Sequence, residues 1–243
     1  MRVLAFSKRC AKEIIRDPLN IMFGLGFPVV LLLLLSAIQA NVPVELFSIE
    51  KLAPGIAVFG MSFLTLFSAT LIAKDKESSF ISRLYTTPLK SAEFILGYLL
   101  PLLPIALAQI AVCYVVAIFL GLSISLNILF AILGSIPIAI LYISLGLLCG
   151  SAFNVKQVGG ICGALLTNLS AWLSGIWFDL ELVGGWFLRL ANLLPFYHAV
   201  ELERAIIGAD TAAAFIHIFP VLGYAIAVMV CAVGVFLGRM ETR

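Results

Sequence analysis

The stretch Ile128-Leu129-Phe130-Ala131-Ile132-Leu133-Gly134-Ser135-Ile136-Pro137-Ile138-Ala139-Ile140-Leu141-Tyr142-Ile143-Ser144-Leu145-Gly146-Leu147-Leu148-Cys149 contains no Asp, Glu, Lys or Arg. As an α-helix rising 1.5 Å per residue it is about 33 Å long, enough to cross the hydrocarbon core of a bilayer. A barrel strand would instead be about ten residues of alternating character. Similar apolar stretches recur, so six spans are expected at about 19–40, 52–73, 94–120, 128–149, 157–178 and 215–237. Across its 243 residues the chain is 63% hydrophobic and 12% charged, with mean hydropathy +1.15. A soluble domain carries about 25% charged residues. Disorder, collagen, coiled coil and a soluble two-domain enzyme are therefore excluded. The expected fold class is an all-α integral membrane protein with six transmembrane helices, forming a single unit over residues 1–243.

Lys and Arg set the expected orientation. Twelve of the 15 fall in the N-terminal segment, the loop after span two, the loop after span four and the tail; Lys51, Arg189 and Arg204 fall on the other side. Seven of the 13 acidic residues lie on that poorly basic side. Both termini are expected to be cytoplasmic. No small-residue cleavage site follows the first apolar run, so that span is expected to remain as an anchor. The net charge of +2 gives no sign of a nucleic-acid partner. Cys10, Cys113, Cys149, Cys162 and Cys231 show no C-x-x-C spacing and read as packing residues rather than as a metal or redox site.

Three segments stand outside the spans. Residues 1–17 are amphipathic: Val3, Leu4, Cys10, Ala11, Ile14 and Ile15 share an apolar face, and Lys8, Arg9, Lys12 and Arg16 lie elsewhere. Asp17-Pro18 ends this segment. An interfacial helix with its cations near anionic headgroups is expected, the alternative being an ordinary basic flank. Residues 74–90 form the longest cytoplasmic loop. Glu77, Ile81 and Leu84 recur at helical spacing, and Phe80, Leu84 and Tyr85 suit docking onto another protein or, alternatively, a membrane surface. Residues 179–214 are divided by Pro195 and carry aromatics suited to the headgroup level. Two short re-entrant helices are expected there, the alternative being an anchored surface loop.

Small and weakly polar stripes mark two spans. On span five Gly163, Thr167, Ser170 and Ser174 share a face, with Asn168 beside it. On span two Gly55, Ser62, Thr65 and Ala69 do the same, flanked by Met61, Phe63 and Phe67. They fit either tight helix packing or a two-fold seam that opens for a substrate. Gln109 follows Pro101 and Pro104 in a span read as kinked, and His198 and His217 read as isolated, with no metal or catalytic cluster around them. The spans hold no ionisable Asp, Glu, Lys or Arg, which disfavours a proton-driven carrier.

The loop Lys74-Asp75-Lys76-Glu77, followed by Leu84-Tyr85-Thr86-Thr87-Pro88-Leu89, Glu93 and Gly97, resembles that of the type-2 permease subunits of ATP-binding-cassette exporters. Ser78-Ser79 stands where that family commonly has a glycine-threonine pair. Asn192-Leu193-Leu194-Pro195-Phe196-Tyr197-His198-Ala199-Val200-Glu201, with Arg204 and Gly208, is similar to the family's segment before the last span. The resemblance implies an exporter of two permease copies, identical or related, and two ATPase subunits that bind ATP and magnesium. It implies that Glu77, Phe80, Ile81, Arg83, Leu84, Thr87 and Pro88 couple to the ATPase, that the helix carrying Lys8, Arg9 and Lys12 contacts it, and that Ser62, Thr65, Phe67, Gly163, Thr167, Asn168, Ser170 and Ser174 line the route and seam. No G-x-x-x-x-G-K-[ST] loop occurs, so the ATPase is expected to be a separate chain and this one not an enzyme by itself. A drug, lipid or peptide is the expected cargo, with a polysaccharide-lipid as the alternative, and the cell membrane of a bacterium or archaeon the expected location. An ATPase-independent carrier and an intramembrane enzyme are the competing classes.

Overall fold

The computed structural model describes residues 2–43, 47–78 and 91–241. Every element among them is helical. Helix α1 (Arg2–Ile15) ends at Asp17-Pro18, and Pro18 opens α2 (Pro18–Ile21), where its fixed φ suits a helix start. A π-helical turn over Met22–Gly26 leads into α3 (Phe27–Asn41). Then come α4 (Ile49–Glu77), α5 (Ser91–Phe119) and α6 (Leu126–Ala152). The next stretch is helical in three parts: α7 (Val155–Val158), a π-helical segment Gly159–Leu166, and α8 (Thr167–Leu173). Three short helices follow, α9 (Leu180–Val183), α10 (Gly185–Leu193) and α11 (Pro195–Ile207), before α12 (Thr211–Glu241).

Five helices among the described residues are long and apolar enough to cross a membrane: Met22–Asn41, Ile49–Glu77, Glu93–Phe119, Leu126–Ala152 and Thr211–Gly238. The expected fifth span, 157–178, is not one of them. Its helix changes to π geometry at Gly159 and stops at Leu173, short of the expected Phe178. Thr167 Oγ1 donates to the Cys162 carbonyl, five residues back, at 2.9 Å. The segment before the last span holds three short helices rather than the expected two. Gly184 separates α9 from α10 at φ +61, a left-handed conformation that a β-carbon would disfavour.

Burial ranks the spans. The apolar window of α4 is 83% buried, against 22% for both the first and the last span. Helix α4 is thus the axis of the bundle, and the outer helices leave Leu33, Leu34, Phe215, Phe219 and Ile226 exposed on their surfaces. In lipid such exposure costs nothing, and helices associate through close approach and polar contacts instead. Both appear between α4 and α6. Thr65 Oγ1 donates to the Tyr142 carbonyl at 2.8 Å and Ser68 Oγ to the Ile143 carbonyl at 3.2 Å. Below them Gly146 and Gly150 let the two backbones meet: a β-carbon would lie 2.2 Å from the Thr65 carbonyl oxygen at the first and 2.4 Å from that of Ala69 at the second. Helix α12 covers the other side of α6, and α1 lies on α5.

Backbone atoms cannot give way as a flexible side chain can. Gly146→Ala is therefore expected to destabilise the fold by about 1–3 kcal/mol. Gly223→Ala, where an added carbon meets nothing within 4 Å, should be neutral. Thermal midpoints in detergent or nanodiscs check the contrast; equal values for the two variants would remove the α4–α6 approach as the packing constraint.

Candidate functional site

The end of α4 that leads into residues 79–90 carries four consecutive charged residues, Lys74-Asp75-Lys76-Glu77. Asp75, one turn from the end of α4, is 2% exposed. Arg9 of α1 grips it with both terminal nitrogens, Nη1 to Oδ2 at 2.5 Å and Nη2 to Oδ1 at 2.6 Å. Tyr98 of α5 donates its hydroxyl to Asp75 Oδ2 at 2.8 Å. Three helices thus meet on one carboxylate, and the planar guanidinium fork suits both of its oxygens. Burial opposes the charge on Arg9, but the Asp75 hydrogen bond and charge outweigh it and hold the guanidinium above its ordinary value. Glu13 also pairs with Arg9, at 2.8 Å. Burial pushes the neighbouring Cys10 thiol up to about 12, which makes it inert as a nucleophile.

Helix α1 is amphipathic as expected, but the protein covers its apolar face. Phe6, Cys10 and Ile14 are buried. The Phe6 ring meets Phe94 and Tyr98 edge-on, lying so close to Gly97 that a β-carbon there would be 2.3 Å away. Leu4 and Ile15, assigned to that face from the sequence, are exposed. Lys8, Lys12 and Arg16 are exposed and line an open groove together with Arg9 and Glu13.

The two residues after Asp75 reach in another direction. Lys76 Nζ donates to the carbonyls of Gly150, Ser151 and Phe153, at 3.0, 3.1 and 2.6 Å. These lie at the C-terminus of α6, where carbonyls lack helical partners and the helix dipole favours a cation. Glu77 Oε1 accepts from the Val155 N–H at 3.0 Å, at the N-terminus of α7, where the dipole favours an anion. Asn154 and Gln157 complete a capping box there. Glu77 is the one member of the expected coupling set among the described residues; Phe80, Ile81, Arg83, Leu84, Thr87 and Pro88 lie outside them.

Of the expected route and seam residues, the span-two members face inward in a single chain. Ser62, Thr65 and Phe67 are buried, with Ser62 Oγ donating to the Phe59 carbonyl and the Phe67 ring seated on Gly24. In the apolar part of α4 between Leu52 and Ala73, Phe63, Leu66 and Thr70 are only partly buried, and they are spaced to share a face. On the neighbouring stretch Ser170 and Ser174 are buried, Ser170 at 2.7 Å from the Tyr142 hydroxyl. Gly163 and Thr167 are partly buried, Gly163 beside Leu66. Asn168 is exposed between Leu165 and Trp172, its amide donating to the Ala164 carbonyl of its own helix.

Several pairings escaped the sequence reading. Gly146-Leu147-Leu148-Cys149-Gly150 is a G-x-x-x-G stretch and so was open to detection. His198 and His217 are not isolated: their Nδ1 atoms lie 2.9 Å apart, and His198 Nε2 is 2.9 Å from the Asn192 carbonyl. A carbonyl only accepts, so Nε2 carries the His198 proton, and His217 Nδ1–H donates to His198 when both rings are neutral. Glu203 is fully buried and accepts from the Tyr114 hydroxyl at 2.6 Å. No group of three or more His, Cys, Asp or Glu side chains among the described residues is placed to hold a metal ion.

A family model described as ABC-2 type transporter matches residues 1–208. The chain is similar to ABC transporter G family member 20 of Dictyostelium discoideum, 28% identical over 166 residues that make up 65% of this chain and 22% of that protein. It thus spans about a fifth of that relative's length. It is also similar to a Porphyra purpurea protein named as a transport permease, ycf38, 26% identical over 208 residues, 81% of this chain and 70% of that one.

Removing either partner of the α1–α4 ion pair has unequal consequences. Arg9→Ala strands a carboxylate that is 2% exposed, whereas Asp75→Ala leaves a guanidinium that is 36% exposed and able to reach water. Arg9→Ala is expected to cost about 2 kcal/mol more, below the 3–5 of a fully buried pair because Arg9 is partly solvated. Unfolding midpoints of the two variants in nanodiscs test the order, and equal midpoints would mean that Arg9 is not what neutralises Asp75.

Proposed function

The chain belongs to the ABC-2 type transporter membrane family, and from that premise we propose that it is the permease half of an ATP-driven exporter whose ATPase docks at residues 79–90. As a member of this family it is a multi-pass membrane protein for transport and not itself a catalyst. The observation that carries the reading is the polar junction at the exit of α4. Helix α4 leads into the docking segment, and in its last turn Asp75, Lys76 and Glu77 bind Arg9 of α1, the end of α6 and the start of α7. A push on residues 79–90 would therefore reach several helices through charge-assisted contacts, which resist slippage better than apolar ones.

In this reading ATP and magnesium sit on a separate ATPase subunit. N- and C-termini face the cytoplasm of the cell whose membrane holds the complex, and α9 to α11 dip into the outer leaflet and return. Lys8 and Lys12 face headgroups or the ATPase. Two copies meet where the single chain is incompletely covered: along Phe63, Leu66 and Thr70 of α4, and along Leu165, Asn168 and Trp172 of the following stretch. Asn168 supports this choice, since an amide exposed among apolar neighbours is costly against lipid and acceptable against a partner helix or a wet cavity. The route for an amphipathic or hydrophobic cargo, a drug, lipid or peptide, follows that seam.

Phe80 and Leu84 are the apolar anchors of the docking segment. Truncating a buried anchor typically costs about 2 kcal/mol or more, and about 1.4 is a tenfold change in affinity. The Phe80→Ala/Leu84→Ala double variant is expected to lose co-purification with its ATPase by more than an order of magnitude while still inserting in the membrane. Wild-type recovery of the ATPase, with wild-type hydrolysis in lipid, would overturn docking at this segment.

A further inference from the structure

At the end of α4 opposite the docking segment, one side chain joins three parts of the bundle. Arg204 of α11 donates from Nε to the Lys51 carbonyl in the first turn of α4 at 3.2 Å, from Nη2 to the Gly175 carbonyl just beyond α8 at 3.0 Å, and from Nη1 to Glu201 Oε1 at 2.8 Å. Both carbonyls belong to the two elements that border the proposed route. Beneath the guanidinium, Ile176 closes onto Gly55, where an added β-carbon would be 3.2 Å from the Ile176 side chain and 3.7 Å from Arg204 Nη2. We infer that Arg204, held by Glu201, is the latch that keeps the outer end of the transport route shut, a positioning residue for the step that opens it.

The chemistry suits a contact that must form and break. A planar guanidinium presents donors in three directions at once, which an ammonium cannot match in this geometry. The pair sits at the edge of the protein, with Arg204 19% and Glu201 27% exposed. Water can therefore take over its hydrogen bonds on opening, without the penalty of stranding a deeply buried charge. The Asp75 carboxylate at the other end of α4, 2% exposed, lacks that freedom. Glu201 lies one turn before Arg204 on the same helix, so the fork remains oriented when the two carbonyls leave it.

The latch rests on the route proposed above, and its test needs no ATPase. In a Cys231→Ser background, which removes an exposed thiol and leaves buried ones, single cysteines replace Ile176 beneath the latch, Lys51 at the exposed rim, or the distant buried Ala225. A membrane-impermeant maleimide is added to intact cells. Arg204→Lys and Arg204→Gln are each expected to speed labelling at Ile176→Cys at least about tenfold, since a hydrogen bond from a charged donor holds a closed state by roughly that factor or more. Labelling at Ala225→Cys should stay slow and at Lys51→Cys fast in every background. Unchanged labelling at Ile176→Cys overturns the latch and leaves the docking proposal standing. Acceleration at Ala225→Cys as well overturns it by showing general loosening. Failure to label Lys51→Cys overturns the orientation on which both rest.

Discussion

The close approach of α4 to α6 is the constraint on which the rest of the structure depends. Lipid tails are as apolar as the side chains of these helices, so bringing two spans together gains little from the hydrophobic effect. What remains is contact between atoms and the satisfaction of polar groups. Gly146 and Gly150 remove the β-carbons that would hold the backbones apart, and Thr65 and Ser68 then reach carbonyls on the facing helix. With that pair formed, α6 offers its other side to α11 and α12, while α4 offers further faces to α3 and α5. Tyr142 shows how the layers join: its carbonyl accepts from Thr65, its hydroxyl meets Ser170, and its ring lies against Phe196 of α11.

The two ends of α4 are tied by different electrostatics. At one end a carboxylate that is 2% exposed, Asp75, takes Arg9 and Tyr98, and Lys76 donates to three helix-terminal carbonyls. Breaking the Arg9 contact would strand the Asp75 carboxylate in a poorly solvated place, which favours keeping this end closed. At the other end Arg204 holds two neutral carbonyls and the Glu201 carboxylate, both charged groups being partly exposed to solvent. If the ATPase docks beside the first end, as proposed, this contrast between the two ends of α4 is the asymmetry that a lever needs.

The number and place of most spans were legible because a long uncharged run has one stable arrangement in a bilayer, a helix that satisfies its own backbone. Local stops were legible for a similar reason. Asp17-Pro18 ends α1 and Pro195 begins α11 by fixing their own dihedrals, whatever surrounds them. In the stretch 157–178 the change from α to π winding at Gly159 and the end of the helix at Leu173 were not legible, because apolar composition carries no sign of either. The amphipathic pattern of α1 was read correctly as a pattern, but a stripe of apolar residues does not say whether lipid or Phe94 and Tyr98 will cover it.

By itself, then, the sequence determined that this chain lives in a membrane, where most of its long apolar helices run, and that a charged segment follows the second apolar stretch. Tertiary structure alone decided the partners: Arg9 with Asp75, His198 with His217, Tyr114 with Glu203, and Arg204 with Lys51 and Gly175. The reason is physical. A helix or a span is stabilised by groups a few residues apart, so its signal is written locally. A buried polar group takes whatever donor or acceptor the packing of distant segments brings within about 3 Å, and that distance is a property of the whole bundle.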